Sequence, residues 1–264
     1  MEQTKAHIGG EIEPFWRHFN TQTWEPEWRS LVDVLEREHL SVDWRIALER
    51  LRVGVGDASD GVRVTTAQEL LGYLEDMRRC EQSEALSVIF VDMLERSEWD
   101  VIGALIGIAL DDATSQQQMQ LYTRALRGVL LFAASLRPKI IGATMGKFLS
   151  RLLDAQTSSE VKVEILELLL VVLADNQECQ RDFMRRNGVT TVCALYTNSR
   201  GTDEELFDRA RAFIGVYVEG VLPSGASAAL SDALLGDAIE TLEDAIGVDE
   251  KNVIVEAWRG KLAV

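Results

Sequence analysis

The chain has 264 residues, 47% hydrophobic and 27% charged, with 43 acidic against 27 basic side chains and a formal net charge of −16. That size and composition argue against wholesale disorder and supply enough apolar surface for a substantial core without disulfides or metals. The negative field opposes a phosphate backbone, whose affinity comes from Lys and Arg, so nucleic acid and anionic membrane surfaces are disfavoured and a basic protein surface is favoured.

Residues 1–26 hold two of the four prolines and a Gly-Gly pair, and read as a loose lead-in with a short helix around PFWRHF. The opening MEQTKAHIGGEIEP lacks the charged-then-apolar layout of a signal peptide. The longest apolar stretch, Leu168–Ala174, is far short of the roughly 20 residues that span a bilayer. A soluble chain in the cytoplasm, with no membrane insertion, is expected.

From 27 to 222 helical spacing dominates, and this stretch is expected to form the main domain. In WRSLVDVLERE, Leu31, Val34 and Leu35 share one face. Ser41 fits an N-cap before WRIALERLRV, and GVGDASDG (54–61) is a glycine-rich break. Helices are expected over Thr66–Arg79, Ser83–Arg96 and Trp99–Leu110. Gln117–Leu136 is expected as one helix stopped by Pro138, and shorter turns run over Lys139–Asp154. Ser159 opens VKVEILELLLVVLAD, apolar on nearly every side and therefore largely buried. Short helices follow over Asn176–Asn187 and Val189–Tyr196, with Asn187-Gly188 as a left-handed stop between them. A long helix follows over Glu204–Glu219. Residues 223–264 supply a linker and capping helices, LSDALLGDAIETLEDAI being the closing one.

Long helices thus begin near 117, 160 and 204, spaced 43 and 44 residues apart, with a short helix pair between each. That interval lies within the armadillo/HEAT period of about 40–47 residues. The fold class expected is all-α, an armadillo/HEAT-like helical repeat solenoid, or α-α superhelix, because one such unit cannot bury its own apolar face. Armadillo proteins that read nuclear-import signals carry Trp and Asn ladders on the long helix. Here those positions fall on Glu167 and Val171, then on Ala212 and Val216, so that ladder is absent.

No catalytic constellation emerges, and no enzyme is expected. Gly54, Gly56 and Gly61 have the density of a phosphate loop without its spacing, its preceding strand or a GK[ST] ending. His7, His18 and His39 form no HExxH or His-carboxylate pattern, and no GxSxG elbow is present. Cys80, Cys179 and Cys193 include no CxxC pair, so they read as reduced thiols. The acid pairs Asp111-Asp112 and Glu204-Glu205 read as solvated helix ends. Neither a metal, a cofactor nor a small-molecule substrate is expected. Trp16, Trp24, Trp28 and Trp44 crowd the first 44 residues, and tryptophan is enriched both in cores and at interfaces.

From about Thr123 to Gly247 the chain resembles the small armadillo-like subunit of the fungal septation initiation network, the Cdc-fourteen family (distinct from the phosphatase of that name). GVLLFAASLRP at Gly128–Pro138, FLSRLLD at Phe148–Asp154 and TVCALYTNSRGT at Thr191–Thr202 are similar to that family's helix ends. So are FIGVYVEGVLP at Phe213–Pro223 and LLGDAIETLEDAIG at Leu234–Gly247, in the same order and spacing, although Ser224 stands where the family has an acid. The resemblance implies a non-catalytic subunit bound to a protein kinase of the Ste20/germinal-centre type as a heterodimer, supporting its activity in septation and cytokinesis. It also implies residence in the cytoplasm and at the spindle pole body. Kinase motifs are absent from the chain itself. The alternative is a general armadillo adaptor for cytoskeletal or other protein partners.

The partner-binding surface is expected on the outward face of the long helices. Lys162, Glu167, Arg209 and Arg211 project there if Val161, Ile165, Leu168 and Val172, with Phe207, Ala210 and Ile214, point inward. Trp24 and Trp28 form the second candidate surface.

Overall fold

Three long helices open in the same way. Ser115, Ser158 and Asp203, all with extended backbones, turn their side-chain oxygens onto the amides of Gln118, Val161 and Leu206. Each cap satisfies one donor that a first helical turn leaves unpaired. The loops delivering the first two caps also match, Asp111-Asp112-Ala113-Thr114-Ser115 and Asp154-Ala155-Gln156-Thr157-Ser158. In both, the first aspartate's carboxylate accepts from the amide two residues on, at 3.0 Å from Ala113 and 2.9 Å from Gln156. Its carbonyl accepts from the amide of Thr114 or Thr157. These threonines are buried.

The computed structural model describes residues 48–54, 59–79, 83–96, 99–218 and 228–262, which are all-helical with no strand among them. After a helical stretch over 48–54 come α1 (Asp60–Arg79), α2 (Ser83–Arg96), α3 (Val101–Leu110) and α4 (Gln116–Phe132). A 3-10 helix over Ala134–Ile140 leads to α5 (Ala143–Leu153), α6 (Ser159–Leu173), α7 (Gln177–Arg185), α8 (Gly188–Ser199) and α9 (Glu204–Val216). Helices α10 (Ala228–Ile246) and α11 (Val248–Leu262) complete the order.

The long helices neighbour one another in sequence order. Helix α4 packs on α1 and α6, α6 on α9, and α9 on α11. The intervening helices make a second series, with α5 against α8 and α8 against α10. Helix α6 explains this arrangement. Nine of its fifteen residues are buried, too many for one flank, so it must be covered on several sides. Val161, Ile165, Leu168 and Val172 are buried as their spacing predicts. Ala210 and Ile214 on α9 are also buried, and Phe207 packs half-buried at the core's edge.

Polar contacts at the edges recur at nearly the same sequence separation. Lys139 Nζ lies 2.7 Å from Asp100 Oδ1, and the Gly142 amide donates to Asp182 Oδ2 at 2.8 Å. The Ser158 amide donates to Gln116 Oε1 at 2.9 Å, Ser159 donates to Asp203, and Arg151 pairs with Asp112. The partners in these five contacts are 39 to 44 residues apart.

Several boundaries differ from the sequence reading. The helix expected to reach Leu136 ends at Phe132, and Pro138 lies inside the 3-10 helix. Arg137 explains the early stop, for its guanidinium donates to the carbonyls of Leu130 and Ala174, near the ends of α4 and α6. Helix α1 begins at Asp60 instead of Thr66, taking Gly61 into the helix. At the stop between α7 and α8, Asn187 adopts the left-handed conformation (φ 57°), whereas Gly188 is the first residue of α8. Gly188 is needed for close approach, because a β-carbon there would sit 2.4 Å from the Phe183 ring. A separate helix, α11, follows Gly247 (φ +85°), which the sequence reading did not delimit. The expectations for PFWRHF, WRSLVDVLERE and the Ser41 cap lie outside the described residues.

Replacing Gly188 by Ala should lower unfolding free energy by about 1–3 kcal/mol through overpacking against Phe183. Ser158→Ala should cost about 1 kcal/mol through the lost cap. Urea denaturation followed by helical ellipticity reads both, with native helix content unchanged.

Candidate protein-docking face

On α4, residues Arg124, Arg127 and Leu131 lie away from the helix's buried flank, at three- and four-residue steps. Facing them on α6 are Glu164, Glu167 and Val171, and beyond these on α9 are Asp208, Arg209 and Ala212. Ion pairs join the three helices. Arg124 Nε donates to Glu164 Oε1 at 2.7 Å, and Arg127 Nη1 lies 3.3 Å from Glu164 Oε2 while also pairing with Glu167. Arg209 Nη1 completes the row at 3.3 Å from Glu167 Oε1.

Burial grades this row. The Glu164 side chain is only 5% exposed, Glu167 is 32% exposed and Arg209 is 52% exposed. Burial pushes the Arg127 guanidinium below its ordinary pKa, and the nearby Glu164 carboxylate pulls it back up. The buried glutamate contributes register more than net stability, since desolvation offsets most of its Coulomb gain. Because the row aligns Arg127, Glu167 and Arg209, one further turn brings Leu131, Val171 and Ala212 into line. Leu131 is 54% exposed, and Val171 and Ala212 are half-buried. The face therefore has a charged tier and an apolar tier.

Of the expected binding residues, Glu167 and Arg209 are brought together. Lys162 lies instead near Asp203, close enough to help hold that carboxyl below its usual range, although the Ser159 hydroxyl acts more strongly there. Arg211 lies near Tyr196, on the other flank of α9. Trp24 and Trp28 lie outside the described residues. Sequence reasoning missed Arg124, Arg127 and Glu164. Their one readable signal was the pair Glu164 and Glu167 amid the apolar residues of α6, each forty positions after an arginine, Arg124 and Arg127.

A second polar cluster sits where α11 meets α8. Tyr196 donates to Glu250, and Arg200 Nη2 lies 3.1 Å from the same carboxylate. The Tyr196 ring stacks on Phe207 at 4.7 Å between centroids, with Arg200 5.9 Å from the Phe207 ring. Cys179 and Cys193 are buried, and burial pushes both thiols up to about 12, which leaves little nucleophilic thiolate at neutral pH. Among the described residues no group of three or more His, Cys, Asp or Glu is placed to hold a metal ion. No described helix is long and apolar enough to cross a membrane.

No protein-family model, curated protein or solved structure matches the chain.

Glu164→Ala should destabilise the protein by about 2–4 kcal/mol, because it strips the buried counter-charge from Arg124 and Arg127. Glu167→Ala, at a half-exposed position, should cost less than about 1 kcal/mol. Chemical denaturation at neutral pH distinguishes the two. In thiol labelling, Cys179 and Cys193 should react only at the rate of unfolding.

Proposed function

We propose that the chain is a non-catalytic, armadillo-like solenoid that holds a protein partner on the face built by α4, α6 and α9. The observation that carries this reading is the charged row linking Arg124 and Arg127 through Glu164 and Glu167 to Arg209. It aligns three successive long helices at one interval and leaves their outer flanks in register as a continuous surface. Contacts separated by about forty residues, together with the matching cap loops, support stacked units of armadillo length.

The partner we propose is a protein kinase of the germinal-centre type, acting in septation and cytokinesis from the cytoplasm and the spindle pole body. This part rests on the resemblance over Thr123–Gly247 alone. A scaffold of this kind supports a kinase only by binding its active state more tightly than its inactive state. The apolar tier also fits a general adaptor, because Leu131, Val171 and Ala212 would accept an aliphatic segment of any origin.

Affinity purification of the full chain from its source cells, read by mass spectrometry, tests the kinase directly. A germinal-centre-type kinase should be enriched at near-stoichiometric yield. Leu131→Asp, in the exposed apolar tier, should reduce that recovery by more than about tenfold, while Arg211→Glu, on the other flank, should leave it near normal. Recovery of other proteins without a kinase would turn the assignment to a general adaptor.

A further inference from the structure

We infer that the face of α4, α6 and α9 takes a short helix of a partner protein whose docking side carries aliphatic side chains flanked by basic ones. This deepens the docking-face reading and rests on it. The apolar tier is the first reason. Leu131 stands 54% exposed on a helix whose other flank is buried, and it continues through Val171 to Ala212.

Charge complementarity supplies the second reason. Arg124, Arg127 and Arg209 are all engaged by Glu164 and Glu167 within the protein. Glu204, Glu205 and Asp208 have no ion-pair partner among the described residues, and with Arg209 and Ala212 they line a shallow depression on α9. The amide dipoles at the start of α9 offset part of the charge on Glu204 and Glu205, but Asp208 lies beyond the first turn, where that effect has faded. The charges left for a partner are therefore acidic, in keeping with the net charge of −16. Axes spaced by about 8–10 Å make a strip roughly 20 Å long, matching a helix of about 14 residues at 1.5 Å per residue.

Two fluorescein-labelled peptides of about 14 residues with identical Leu spacing, one filled with Lys and one with Glu, test the inference by anisotropy against the full chain. The Lys peptide should bind and weaken as salt rises. Leu131→Asp should lower its affinity by about tenfold or more, and so should Glu205→Lys combined with Asp208→Lys. The same charge change on exposed positions of α10, Glu240→Lys with Asp244→Lys, should alter affinity by less than about threefold. Preference for the Glu peptide, indifference to Leu131→Asp, or equal loss in the α10 variant would overturn the inference, the last because net charge alone then explains binding. Kinase co-purification from the Glu205→Lys, Asp208→Lys protein separates the two readings. A kinase retained there leaves the docking face standing and removes only the basic segment.

Discussion

Everything in this fold follows from the apolar circumference of α6. A helix with Val161, Val163, Ile165, Leu166, Leu168, Leu169, Val172 and Leu173 all buried cannot be satisfied by one neighbour. Burying each such side chain contributes on the order of 1.5–3 kcal/mol, so leaving any flank open to water is costly. Helices α4 and α9 cover it from two sides, α5 and α7 touch it as well, and each outer helix then carries an apolar flank of its own to the next. The core is accordingly one cluster running from Leu48 and Leu51 to Ile254 and Val255.

Hydrophobic burial is non-directional and would tolerate a helix sliding along its neighbour. Glu164 removes that freedom. Moving α4 beyond the reach of both Arg124 and Arg127 would strand a carboxylate buried among aliphatic groups, a penalty of several kcal/mol, whereas the observed register places it between them. Adhesion comes from the leucines and valines, and alignment comes from the charges. The same row leaves the outer flanks of α4, α6 and α9 in line, so one device both orders the core and shapes the surface.

The C-terminal helices meet the same requirement differently. Helix α9 has a flank carrying Phe207 that α6 does not cover, and α11 packs on α9 while α10 packs on α8. Aromatic stacking and a shared carboxylate hold this end, with Glu250 joining Tyr196 and Arg200 beside the Phe207 ring. Burial pushes the Tyr196 phenol up to about 12, and its bond to Glu250 acts in the same direction, so the hydroxyl stays a donor across the physiological range.

Period and polarity were legible in the residues themselves. Helix starts near 117, 160 and 204, the buried stripe of α6 and the helical class all follow from spacing, because a 3.6-residue period writes a helix's apolar flank directly into the chain. Loop chemistry was half legible. Asn187-Gly188 marked a stop, but only packing against Phe183 decides that the asparagine takes the left-handed turn and that the glycine makes room. The end of α4 was not legible, since it depends on Arg137 reaching a carbonyl 37 residues away. Nor was the charged row, which needs Arg124, Arg127, Glu164, Glu167 and Arg209 from three helices brought side by side. Local periodicity determines which flank of each helix is greasy. Which charges meet across those flanks depends on long-range register, and only the tertiary structure decides that.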